Sequence, residues 1–100
     1  MQTGDKFELL GDKKLTFRKE DGYYVSFDPK VFEIMKINEF AGDILYMISL
    51  GMNYSEISKI ITLRFNVNQE VFKSDIVKFF RSYPSISYIK TMLIELGFRV

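Results

Sequence analysis

Residues 31–51 read VFEIMKINEFAGDILYMISLG, and the fold follows from how this stretch divides. From Val31 to Ile37 nearly every position is apolar, the pattern of a β-strand covered on both faces. Asn38 then offers a side-chain oxygen to the first free N–H groups of a helix. Phe40, Ala41, Ile44, Leu45 and Ile48 share one face at the 3.6-residue period. Gly51 suits the left-handed conformation that stops a helix. The strand is expected to carry the function, and the helix to anchor it.

Upstream, residues 14–19 alternate polar with apolar at Leu15 and Phe17, the period of a half-buried strand. Asp21-Gly22 is a hairpin signal, because a type I′ turn needs positive φ at both central positions. A second strand follows over residues 23–27, with Tyr23, Val25 and Phe27 on one face and Tyr24 and Ser26 on the other. Asp28-Pro29 makes the next turn. Residues 7–10 either begin an edge strand or pack across the sheet, and residues 1–6 read as a loose end. Downstream, Asn53 and Glu56 have the spacing of a capping box. They open a second helix with Tyr54, Ile57, Ile60, Ile61 and Phe65 on its apolar face. A third helix starts near Asn68, carries Val71, Phe72, Ile76, Val77, Phe79, Phe80 and Tyr83, and ends before Pro84. Residues 85–96 repeat Ile86, Ile89, Leu93 and Leu96 at near-helical spacing before Gly97. The predicted fold is α+β and winged helix-turn-helix-like. A three-stranded antiparallel β-meander is followed by three α-helices and an extra C-terminal helical segment. All of it forms one domain over residues 1–100, with its core at about 15–80 and an extension at 84–100.

The chain has 100 residues and contains neither Cys nor His. Thiolate nucleophiles, disulfides, zinc and iron–sulfur sites and histidine bases are therefore excluded within it. The remaining carboxylates, lysines, tyrosines and serines form no recognisable catalytic constellation, so neither an enzyme nor a cofactor is expected. The 14 basic and 13 acidic residues interleave to a net charge of +1. A dedicated nucleic-acid binder usually concentrates positive charge on one face. No apolar run approaches the roughly 18 residues a membrane span needs, and no signal peptide is visible. The expected location is cytoplasmic.

Several short sequences stand in a definite order along the chain. Asn38-Glu39 ends the predicted third strand and is followed by Phe40-Ala41-Gly42, then Ile44-Leu45, Ile48 and Gly51. Asn53 precedes Glu56-Ile57, Phe65-Asn66-Val67 precedes the third helix, and Asp75-Ile76 and Phe79-Phe80 lie within it. In this order and spacing the chain resembles the pyrroloquinoline-quinone biosynthesis protein D family, the PqqD-like domains or RiPP recognition elements. The resemblance covers residues of about 15–80. It departs after the third helix, where the family soon reaches a short Gly-apolar end. Here Tyr83-Pro84 intervenes, and Gly97-Phe98 comes only after another helical segment. That segment reads as an added helix, a kinked continuation of the third helix, or a dimerisation arm.

The resemblance implies a domain that binds the leader segment of a ribosomally made precursor peptide and delivers it to a modifying enzyme. A radical S-adenosylmethionine maturase is one such enzyme, and its cluster cysteines are absent here, so the chain is a separate protein or an excised domain. The leader joins the third strand as an extra strand and lies against the third helix. Strand addition uses backbone groups for affinity and alternate side chains for selectivity. The candidate peptide-binding residues are Val31, Phe32, Glu33, Ile34, Met35 and Lys36 on the strand. On the helix they are Val71, Lys73, Asp75, Lys78 and Phe79, with Phe72, Ile76, Phe80 and Tyr83 left for the core. Lys36, Lys73 and Lys78 suit an acidic leader. On residue type alone, Phe32, Ile34, Met35 and Phe79 are ordinary core residues, the lysines are solvated, and Val71 and Asp75 are plain helix surface. A winged-helix DNA-binding transcriptional regulator is the second reading, opposed by Glu70 and Asp75 on the would-be recognition helix. A homodimer held by the C-terminal segment is the third.

Overall fold

The computed structural model describes residues 1–29 and 31–100. The fold is α+β: four antiparallel strands, β1 (Lys6–Leu10), β2 (Lys14–Lys19), β3 (Tyr23–Asp28) and β4 (Glu33–Asn38), precede four helices. These are α1 (Glu39–Ser49), α2 (Tyr54–Arg64), α3 (Gln69–Ser82) and α4 (Lys90–Glu95), with a 3-10 helix (Pro84–Tyr88) before the last. The strands run in the order β1-β2-β3-β4. The meander therefore has four strands, not three. The strand at its start is set by Phe7 and Leu9, which face inward and are buried, with Phe7 stacked on Phe17 at 4.7 Å. Residues 1–6 are not a loose end either, since Gly4 N–H donates to Lys19 C=O and Lys19 N–H to Asp5 C=O, both at 2.8 Å.

The hairpin at Asp21-Gly22 forms, but positive φ is confined to Gly22 (82°), so the turn is not type I′. The last strand also differs from expectation. It starts at Glu33, and Val31 and Phe32 belong to the preceding turn, with Phe32 at φ 57° and its N–H bonded to Asp28 C=O at 2.8 Å. Helices cover only one face of the sheet. Tyr24 and Ile37 are buried on that face, and Ile34 on the other is 76% exposed. A continuous apolar run therefore did not mean a strand covered on both sides.

Asparagine caps set the helix starts, each accepting from a backbone N–H three residues on: Asn38 from Ala41 (2.8 Å), Asn53 from Glu56 (2.9 Å) and Asn68 from Val71 (2.8 Å). Glu56 returns the bond to Asn53 N–H at 3.1 Å, completing the capping box. Helix α1 lies so close to β3 that a Cβ at Gly42 would meet the Tyr24 ring at 2.0 Å. There the Tyr24 hydroxyl donates to Asp43 Oδ1 (2.6 Å), and Arg64 Nη1 of α2 donates to Asp43 Oδ2 (3.1 Å). Burial, chiefly, and the neighbouring carboxylate raise the Tyr24 pKa above its ordinary value. This network ties sheet, α1 and α2 together around the core.

Helix α3 ends at Ser82, before Tyr83-Pro84, as the proline requires. The segment beyond it does not stand apart. Ile89 and Leu93 are 1% and 0% exposed, and the Phe98 ring meets those of Tyr54 (5.3 Å) and Phe80 (5.8 Å). The apolar surface that suggested a dimerisation arm is largely consumed within the chain. The 3-10 helix also docks on the first hairpin, where Asp12 N–H donates to Tyr88 C=O at 2.7 Å. Glycine is needed at position 11, because a Cβ there would fall 1.8 Å from that carbonyl oxygen.

Candidate functional site

Among the described residues strand β4 pairs with β3 alone, so its other side is an open edge. Which backbone groups face that edge follows from the alternation of antiparallel strands. Lys19 bonds to Asp5 on the β1 side and Glu20 N–H donates to Tyr23 C=O (2.8 Å) on the β3 side. Tyr23, Val25 and Phe27 thus turn their backbone groups to β2, and Tyr24, Ser26 and Asp28 turn theirs to β4. In the observed register Asp28, Ser26 and Tyr24 oppose Glu33, Met35 and Ile37. The N–H and C=O groups of Ile34 and Lys36 are left pointing outward, ready for another strand.

The side chains along this edge divide by face. Met35, half-buried, points toward the helices with Ile37. Ile34 and Lys36 lie on the opposite face, where Ile34 pairs with Phe27 and the Lys36 ammonium sits 4.5 Å from the Tyr23 ring centre. Phe27, Val31, Phe32 and Ile34 form an exposed apolar cluster at the tip of the β3–β4 hairpin, with the Phe27 and Phe32 rings 6.5 Å apart. Glu33 begins the strand and is exposed. Phe32 and Ile34 are therefore not core residues, despite their type.

On the helix face a cleft of about 570 Å³ opens beside the last residue of β4. Asn38, Phe40 and Ala41 form one wall, Phe65 and Val67 the end, and Asp75, Lys78, Phe79 and Ser82 of α3 the other wall. The Phe79 ring stacks on Tyr83 at 5.2 Å and is held from behind by it. Burial, first, and the nearby Asp28 carboxylate push the Tyr83 pKa up to about 12, against the Ser26 and Ser85 hydroxyls. On the other side Phe40 packs edge-on against Phe65 at 5.5 Å. The cleft is aromatic on both sides, with one lysine and one carboxylate among its lining.

Of the candidate residues on α3, the cleft gathers Asp75, Lys78 and Phe79. Val71 is 40% exposed in the first turn of the helix and outside the cleft lining. Lys73 lies on the other flank of α3, beside Tyr54, Ile76 and Arg99, and does not face β4. Phe72, Ile76, Phe80 and Tyr83 are buried, as their spacing predicted. Phe40 and Phe65, expected on the apolar faces of their helices and not among the candidate site residues, are half-buried and line the cleft. Their one signal was position, at the helix start and just past the helix end.

No protein-family model, no curated protein and no solved structure matches this chain. Among the described residues no cluster of acidic side chains could hold a metal ion, and no helix is long and apolar enough to cross a membrane.

Proposed function

We propose that the domain binds an extended peptide by β-strand addition to β4, and that this peptide is the leader of a ribosomally synthesised precursor, presented to a modifying enzyme such as a radical S-adenosylmethionine maturase. The observation that carries the reading is an open strand edge bordered by an aromatic cleft. The backbone of Ile34 and Lys36 is free to pair, and residues of the added strand would alternate between the Ile34 face and the helix side. The other edge strand, β1, is a poorer platform, since the aromatic cleft lies beside β4 and none of its lining comes from β1.

The resemblance to PqqD-like domains supports the same reading, with α2 and α3 as the helix-turn-helix and a sheet hairpin as the wing. The role is binding and delivery, without catalysis. Lys78 in the cleft and Lys36 on the edge suit an acidic leader carrying apolar anchors. The test is an amide NMR titration with a short peptide encoded beside this gene. Shifts confined to β4 and the cleft wall of α3 support the reading, and Phe79→Ala should weaken binding about tenfold while the domain stays folded. Absence of shifts at millimolar peptide refutes it. Salt-sensitive binding to duplex DNA in its place would favour a transcriptional regulator.

A further inference from the structure

The flank of α3 turned away from the β4 cleft carries a second concavity. Two depressions of about 380 and 330 Å³ adjoin there and share Val77, Phe80 and Arg99 as lining. Val77, Phe80 and Ile86 make the wider one apolar at its floor, and Arg81, Lys90 and Arg99 surround it. Lys73 adds a fourth cation in the second depression. No Asp or Glu side chain lines either one, and Val100, the last residue of the sequence, also lines the wider one. None of the four cations takes part in an ion pair among the described residues, and the same holds for Lys6, Lys13, Lys36, Lys59 and Lys78 elsewhere on the surface.

A chain of net charge +1 thus gathers four cations, none in an ion pair among the described residues, around an apolar floor. Exposed cations of like sign repel one another, so an anion placed among them relieves that repulsion. Guanidinium groups match a carboxylate fork to fork. An apolar hollow of this size takes a small organic molecule. Together they suit an amphiphile with an anionic head such as a carboxylate at one end and hydrocarbon at the other.

We propose that this groove binds an amphiphilic carboxylate, with its chain on Val77, Phe80 and Ile86 and its head group among Arg81, Lys90 and Arg99. The site uses neither β4 nor its cleft, so it stands or falls separately from peptide binding. It also gives Lys73 a place that the leader-binding reading does not.

The experiment is calorimetry and amide NMR on the full chain with dodecanoate, kept below its micellar concentration. Acetate, dodecyltrimethylammonium and a hexaglutamate peptide serve as comparisons. Saturable one-to-one binding of dodecanoate is expected, with shifts at Val77, Phe80, Ile86 and Arg99 and affinity falling with ionic strength. Acetate and the cationic amphiphile should not bind. The double variant Arg81→Gln, Lys90→Gln alters only exposed positions and should raise Kd by about tenfold or more with an unchanged melting temperature. The proposal is overturned by any of four results: no saturable binding, equal binding of the cationic amphiphile, unchanged affinity in the double variant, or shifts confined to the β4 cleft. Tighter binding of hexaglutamate than of dodecanoate also overturns it, and would assign the groove to an acidic protein segment.

Discussion

Proline substitutions at adjacent positions of β4 separate its two edges. At Met35 the backbone N–H points to β3 and meets the carbonyl of Ser26, a residue only 2% exposed. Met35→Pro removes that ladder bond, about 1 kcal/mol net, and leaves a buried carbonyl unpaired at about 1–3 kcal/mol more. Loss of the half-buried thioether side chain adds about 1 kcal/mol. The expected total is about 3–5 kcal/mol, a large part of the roughly 5–15 kcal/mol available to a small domain. At Ile34 the N–H points to solvent and the side chain is 76% exposed. Ile34→Pro should cost within about 1 kcal/mol, as edge prolines with outward nitrogens do. In urea unfolding, at a slope of about 1.5 kcal/mol/M, the two midpoints should differ by about 2 M. Hydrogen exchange gives a second measure, with Ile34 and Lys36 amides fast and Met35 and Ile37 amides slow. In peptide titration Ile34→Pro should weaken binding about tenfold or more, having lost a donor and gained a ring on the pairing edge. Equal destabilisation by both prolines, or protected Ile34 and Lys36 amides in the isolated monomer, would refute the assignment of the open edge.

Other expectations follow from packing and titration. Gly11→Ala should destabilise by about 3 kcal/mol, because the methyl group forces the 3-10 helix off the first hairpin and breaks the Asp12–Tyr88 bond, as a thermal melt would report. Asn53→Ala should cost about 1 kcal/mol in chemical unfolding through loss of the capping box. Tyr83 keeps its proton in the folded state up to about pH 12, while the unfolded chain releases it near pH 10. Stability should therefore fall as pH rises through that window, and Tyr83→Phe should remove up to about 2–3 kcal/mol of the fall. Tyr24, also raised, adds a loss of the same sign that survives in the variant.

Local features were the legible ones. The asparagine caps at Asn38 and Asn53 are legible because a cap and its partner N–H lie three residues apart, and Pro84 ends α3 for an equally local reason. The inward residues of α3 followed from helical spacing. What failed depended on the rest of the molecule. The apolar run from Val31 to Ile37 is what either a buried strand or a strand with one greasy exposed face would show, and only the helices' absence from the outer face decides between them. Two alternating residues, Phe7 and Leu9, leave an edge strand as only one of two readings until β2 is seen beside them. Lys73 was assigned by its charge, although helical geometry places it on the opposite flank from Asp75 and Phe79. Phe40 at the start of α1 and Phe65 just past the end of α2 pack together on one side of the cleft, and no short-range pattern carries that meeting.

The bond between Asp12 and Tyr88 has a consequence for the order of folding. Each hairpin of the meander joins neighbours in sequence, so the sheet and its edge involve short loops and can form quickly. Docking the 3-10 helix on the first turn closes a loop spanning most of the chain, and such closure is entropically the costlier step. During synthesis the strands leave the ribosome long before Tyr88 and Phe98 do. The β4 edge would then be present, and open to pairing, before the aromatic residues behind α3 are sealed by their last partners. A nascent chain in that interval carries both an unpaired strand and an uncovered core, and it is the stage at which this domain is most exposed to aggregation.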